Sequence, residues 1–159
     1  MKITKELLKI FVDWTKLKIR IHVSERMPAF PKKKEIWWVS LGQNIGVEAN
    51  GKNATFERPV LVIKVFNTYS YLVAPISSKV REDKYLFEFI NNADESNIVN
   101  ISQLRTISAK RFVRKVADMT DSDFDQIIEL IRVIILTKTE APFGASSELL
   151  GQEQNVTTV

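Results

Sequence analysis

The chain has no cysteine and a single histidine, His22, among its 159 residues. Without thiols there is no disulfide framework and no thiolate metal site, and one imidazole cannot build a histidine-rich zinc centre. The paired imidazoles that ordinarily serve as acid and base near neutral pH are excluded as well. Long apolar runs are also missing: the uninterrupted stretches are only a few residues long, against the roughly 20 that a membrane-crossing helix needs. The first residues, Met1-Lys2-Ile3-Thr4-Lys5-Glu6, carry charge where a secretory signal would pass into an apolar core. No export is therefore expected, and a soluble protein of the cytoplasm is the reading.

What is present is a hydrophobic fraction of 45%, enough to bury the core of one domain with an appendage. The net charge of +4 is unevenly spread. Residues 1–35 hold ten Lys or Arg against four acids, a balance of +6, which leaves −2 for the remainder. A basic arm on a near-neutral body suits contact with a polyanion, and a solvated helix face gives the same count.

In that arm, Leu7, Ile10, Phe11, Trp14, Leu17 and Ile21 recur at spacings of three and four with lysines between them, which predicts an amphipathic helix. It either docks nucleic acid or a partner, or packs its Trp14 stripe on the body. Met27-Pro28-Ala29-Phe30-Pro31 breaks the helix and forms a linker. Segments rich in Val, Ile, Phe, Tyr and Trp follow: Glu35 to Leu41, Arg58 to Phe66, Ser70 to Pro75, Lys84 to Phe89, Ile98 to Ile101, Leu104 to Ile107 and Phe112 to Ala117. These read as short strands with close turns, at Asn67-Thr68-Tyr69 and Asn91 to Asn97, and so as a small barrel. Trp37 and Trp38 are adjacent and should face opposite sides, one in the core and the other exposed or, more readily, under the N-terminal helix. After Thr120, an N-cap, the stripe Phe124, Ile127, Ile128, Ile131 and Ile135 predicts a helix packed on the barrel. The expected organisation is a basic helix and linker over 1–31, a barrel with its C-terminal helix over 32–137, and a disordered tail over 138–159.

Gly42 to Phe56 is a long loop, and loops beyond about 12 residues inside compact domains are usually functional or mobile. It ends at Arg58, and the next strand closes on the hydroxyls of Ala74-Pro75-Ile76-Ser77-Ser78-Lys79. Charged and hydroxyl side chains at strand ends beside a long loop are what a small barrel needs to hold a phosphate-bearing ligand.

Five elements in order resemble the MazF/PemK-like toxins of bacterial type II toxin–antitoxin systems. They are Glu35-Ile36-Trp37; Leu41-Gly42 leading to Gly46-x-Glu48; Arg58-Pro59-Val60-Leu61-Val62; Ala74-Pro75-Ile76-Ser77; and Ser102-Gln103-Leu104-Arg105-Thr106-Ile107. The resemblance spans Lys32 to about Arg132. It implies an α+β, mostly β fold: an SH3-like small barrel of the CcdB/MazF kind with flanking N- and C-terminal helices. It further implies a homodimer, a cognate antitoxin as partner, and cleavage of single-stranded RNA with neither metal nor cofactor.

Carried over residue by residue, the resemblance places the active-site arginine on Arg58, the hydroxyl on Ser77, where threonine is commoner, and the loop acid on Glu48. Ala49 and Asn50 depart from the usual Gln and small residue, and Ser102 stands where some PemK-like relatives carry an aspartate. Such cleavage proceeds by attack of a ribose 2′-hydroxyl on its own phosphate. Arg58 would clamp the charged transition state, because a guanidinium offers a planar fork of donors and stays cationic. Ser77 would donate to the phosphate and Glu48 would take the 2′-proton. Ser78, Lys79, Gln103, Arg105 and Lys52 are the substrate-binding candidates; Gln103 and Arg105 serve equally well as dimer contacts. His22 reads as a helix-end residue. Two alternatives remain: a non-cutting toxin of the same fold that binds a protein such as DNA gyrase, and an inactive member that binds RNA or a partner.

Overall fold

Three antiparallel strands, β1 (Glu35–Ser40), β2 (Glu57–Asn67) and β3 (Ser70–Ser77), form the middle of the molecule. The computed structural model describes residues 3–25, 28–79, 83–91 and 94–137. The expected disordered tail, 138–159, lies outside them, as do parts of the linker and of the turn at 91–97. Side chains alternate across a strand. Along β2, Leu61 and Ile63 accordingly enter one apolar cluster while Val60 and Val62 enter another. Along β3, Ala74 and Ile76 join the first, and Tyr71 and Val73 the second. Burial on both faces is why the sequence here is a continuous apolar run and not an alternating one.

Four further strands complete the sheet: β4 (Leu86–Ile90), β5 (Ser96–Asn100), β6 (Arg105–Ser108) and β7 (Phe112–Asp118). Their order is β4-β5-β3-β2-β1-β7, with β6 also on β3. One edge of β3 is thus shared, Ser70–Val73 pairing with β6 and Ile76–Ser77 with β5. Among the described residues no pairing joins β4 to β7, so the strand path of this small barrel stays open. Strand content and flanking helices match the expectation.

The C-terminal helix α2 (Asp121–Leu136) begins where Thr120 Oγ1 accepts from the amide of Asp123 at 3.1 Å. It drives Phe124 and Ile127 fully into the first cluster. The N-terminal helix α1 (Lys5–Val23) starts on an equivalent cap, Thr4 Oγ1 accepting from the Leu7 amide at 3.2 Å. Of its stripe only Trp14 is buried; Ile10 and Phe11 are exposed. The Trp14 ring lies 5.5 Å from that of Phe56, and the Arg111 guanidinium sits 5.3 Å from its centre. Lys110 Nζ then donates to the carbonyls of His22 and Ser24 at 2.6 and 3.1 Å, a cation at the C-terminal end of the helix. The sheet tryptophans differ from the expectation. Both are half-buried and neither pairs with α1: Trp37 packs edge-on against Phe112, and Trp38 carries the Arg114 guanidinium at 5.0 Å. The reason is that α1 seats at the root of the 42–56 loop, beyond the Ser40 end of β1.

Candidate functional site

The loop between β1 and β2 is closed by its own backbone. The amides of Leu41 and Gly42 donate to the Phe56 carbonyl at 2.9 and 3.2 Å, and the Gly51 amide donates to Gly42 O at 2.7 Å. Gly42 holds φ +106°, and a Cβ there would stand 2.4 Å from the Trp14 ring. Only glycine meets both conditions. Phe56 itself has φ +50°, a left-handed conformation costing an L-residue about 1–2 kcal/mol, which this crossing of loop, strand and helix maintains.

Held in this way, the loop covers the start of β2. Arg58 Nε donates to Asn50 O at 2.5 Å, and Arg58 Nη1 reaches across to Ile76 O at 3.1 Å. The guanidinium is therefore fixed between the loop and the end of β3, with its remaining N–H groups available. Burial pulls its pKa below the ordinary value, but a guanidinium starts so high that it stays charged at neutral pH. From the other side, Gln103, on a turn of 3-10 helix after β5, accepts from the Ala49 amide at 3.0 Å and donates to Val47 O at 3.5 Å.

Between these parts lies a cavity of about 220 Å³ that includes Arg58, Ser77, Lys79, Gln103, Asn100 and Ile98 in its wall. Two cations and no acid face it among the described residues, so its field favours an anion. Ser77 Oγ accepts from the Lys79 amide at 3.2 Å, which leaves its own O–H free to donate into the cavity.

The other candidates stand elsewhere. Glu48 is exposed, and its carboxylate accepts from the Ile45 amide at 3.2 Å; its neighbours Val47 and Ala49 line the cavity and it does not. Ser78 is exposed just past β3, outside the wall. Arg105 pairs with Val73 on β6, also outside it, and with burial its charge lowers the pKa of Arg111. Lys52 is tied by its backbone to Glu57, at 2.7 and 2.9 Å, and lines a different groove, against α1. Gln103 lines the cavity with its amide committed to the loop. Asn100 carries no motif that marks it in the sequence; the alternation of β5 puts it on the same face as Ile98, and its Oδ1 accepts from Ser102 Oγ at 2.7 Å. Among the described residues no group of three or more His, Cys, Asp or Glu converges as a metal site.

A family model described as the PemK-like, MazF-like toxin of type II toxin–antitoxin systems matches residues 32–135, all of the sheet and nearly all of α2. Comparison with curated protein sequences found no match. Among solved structures, a crystal form of MazF from Deinococcus radiodurans is similar at 15% identity and a TM-score of 0.56, covering 67% of this chain and 97% of that one. A MazE–MazF crystal structure from the same organism is similar at 12% identity and a TM-score of 0.51, covering 69% and 99%. At such identities the likeness concerns the fold. The helix α1 precedes the stretch that the family model matches.

Proposed function

The chain belongs to the PemK-like, MazF-like toxin family of type II toxin–antitoxin systems, and from that premise we propose that it is a metal-independent endoribonuclease acting on single-stranded RNA. The observation that carries this reading is the small cationic cavity in which Arg58 is clamped between Asn50 O and Ile76 O beside the free hydroxyl of Ser77. A phosphodiester seated there places its non-bridging oxygens against the spare Arg58 donors, the Ser77 O–H and the Lys79 ammonium. As the ribose 2′-oxygen attacks phosphorus, the bond to the 5′-oxygen breaks, that oxygen takes a proton from water to leave as a hydroxyl, and a 2′,3′-cyclic phosphate forms. The charge that builds on the equatorial oxygens meets donors already fixed in position. Glu48 takes the 2′-proton once its exposed side chain turns from the Ile45 amide. Gln103 and Asn50 act earlier, by holding the loop and the guanidinium.

In this reading a cognate antitoxin restrains the enzyme by laying a flexible acidic segment over the same cations, and the active form is a homodimer in the cytoplasm. The complex of MazE with MazF in the similar structure supports a partner of this kind.

The test is direct. Labelled RNA of mixed sequence is incubated with the protein in EDTA, beside Arg58→Ala and Ser77→Ala variants. Cleavage leaving 2′,3′-cyclic phosphate ends is expected from the parent, with a loss of about 100-fold or more for Arg58→Ala, the scale of a lost oxyanion donor. Intact RNA with the parent protein would reject the activity, and unimpaired cleavage by both variants would reject the site.

A further inference from the structure

We propose that the groove between α1 and the outer side of the 42–56 loop is a second binding site for single-stranded RNA, holding the strand beyond the cleaved linkage. This rests on the RNA-directed reading above and adds a site whose α1 wall lies outside the stretch the family model matches, while its loop wall lies within it.

The groove has a volume of about 860 Å³, against about 220 Å³ for the cavity at Arg58. Past Leu17, Arg20 and Thr55 it continues into a hollow of about 300 Å³ beneath the C-terminal half of α1. Lys9, Arg20 and Lys52 line it, all three exposed and none in an ion pair with another described residue. Lys16 also lines it, 3.9 Å from Asp13, which it largely offsets; Glu6 is the remaining acid of its wall. Ile10 and Leu17 supply apolar surface between the charges, with the buried Phe56 behind them in the wall. Unpaired cations spaced along a channel with apolar surface between them suit a flexible polyanion whose bases need a place to lie. A compact anion would leave most of the volume empty.

Position gives the second argument. Lys52 forms a two-way backbone bridge with Glu57, the residue before Arg58. Val47 and Ala49 of the same loop face the cavity, while Gly51 to Phe56 face the groove. The two sites therefore lie on either side of one loop, and a strand that crosses this loop from Arg58 finds Lys52, Arg20 and Lys9 along the groove. The surplus charge of residues 1–35 thus acquires a geometric use.

The test uses the full chain and 5′-fluorescein-labelled 2′-O-methyl RNA of mixed sequence, whose blocked hydroxyl prevents the proposed attack, so that binding is read without cleavage. Oligomers of about 15 and about 5 nucleotides are compared by anisotropy across a salt series. For Lys9→Glu/Arg20→Glu, affinity for the longer oligomer should fall about tenfold while the shorter one binds as before. Adding Lys52→Glu should lower the salt slope by about 2, near 0.7 for each of three lost phosphate contacts. Neutral Lys9→Gln/Arg20→Gln should fall between the parent and the charge reversal, which guards against a disturbed helix. Equal binding of the long oligomer by parent and variants overturns the inference, and so does equal loss for both lengths. A glutamate-rich peptide that binds the groove more tightly than RNA does would assign it to a protein partner and overturn it too. If the parent cuts no RNA yet binds the long oligomer through these cations, the second site stands and the nuclease reading falls. If cutting is confirmed and the cations are inert, the reverse holds.

Discussion

The two helices start alike and end up differently. Each opens on a threonine cap and carries an apolar stripe at helical spacing, yet α2 sinks Phe124 and Ile127 into the sheet with no residual exposure, while α1 buries Trp14 alone and leaves Leu8, Phe11, Val12 and Ile19 in solvent. The difference lies in what faces them. Below α2 is a sheet face whose strands already supply Leu61, Ile63, Ala74 and Ile76. Below α1 is the root of a loop, where one glycine leaves room for one indole. Amphipathic spacing makes a helix, but the receiving surface decides whether that helix becomes part of the core.

The largest effect is expected at Phe124. Phe124→Ala removes a fully buried ring and should cost about 3–5 kcal/mol, read as a drop in the midpoint of global denaturation. Trp14→Ala should separate the helices: amides of α1 lose hydrogen-exchange protection while those of β2 and β3 keep theirs, and the global midpoint moves less than for Phe124→Ala. A single cooperative collapse in both variants would show the two helices to be equally integral. The caps sharpen the contrast at smaller scale. Thr120→Ala should lower global stability by about 1 kcal/mol, whereas Thr4→Ala should fray the first turn of α1 and leave the denaturation midpoint in place.

The smallest effect concerns acid. Burial alone would raise the pKa of Glu35, but the Lys32 amide at 2.8 Å, Lys115 at 2.9 Å and the Trp37 indole at 2.8 Å outweigh it and hold it below the ordinary 4.5. A carboxylate depressed in the folded state stabilises fully above its unfolded pKa and loses that contribution as pH falls through the folded one. Body stability should therefore decline in the acid range below about 4.5, and Glu35→Gln should flatten the decline. An unchanged profile in that variant would assign the acid sensitivity to other carboxylates.

Most strand positions were legible because β-branched and aromatic runs between polar turns leave few choices, and Thr120 with its two following aspartates marked the start of α2. The ends of strands were less clear: β3 runs on through Pro75 to Ser77 because Ile76 and Ser77 acquire a partner in β5, which local pattern does not display. At the site, Arg58 and Ser77 could be placed by motif. The roles of Asn50 and Gln103 could not, since a backbone carbonyl that grips a guanidinium and an amide that pins a loop leave no periodic signature. Lys52 shows the same limit in reverse. Its charge was visible, but which side of the loop it faces depends on the bridge to Glu57.

The seat of Trp14 on Gly42 has a practical consequence. Of the three tryptophans, two lie within β1, and Trp14 stands against Gly42 at the root of the loop that carries the Asn50 carbonyl to Arg58. Once Trp37 and Trp38 are replaced by phenylalanine, the remaining indole becomes a built-in optical reporter. Its emission would register detachment of the helix from the loop without any added dye.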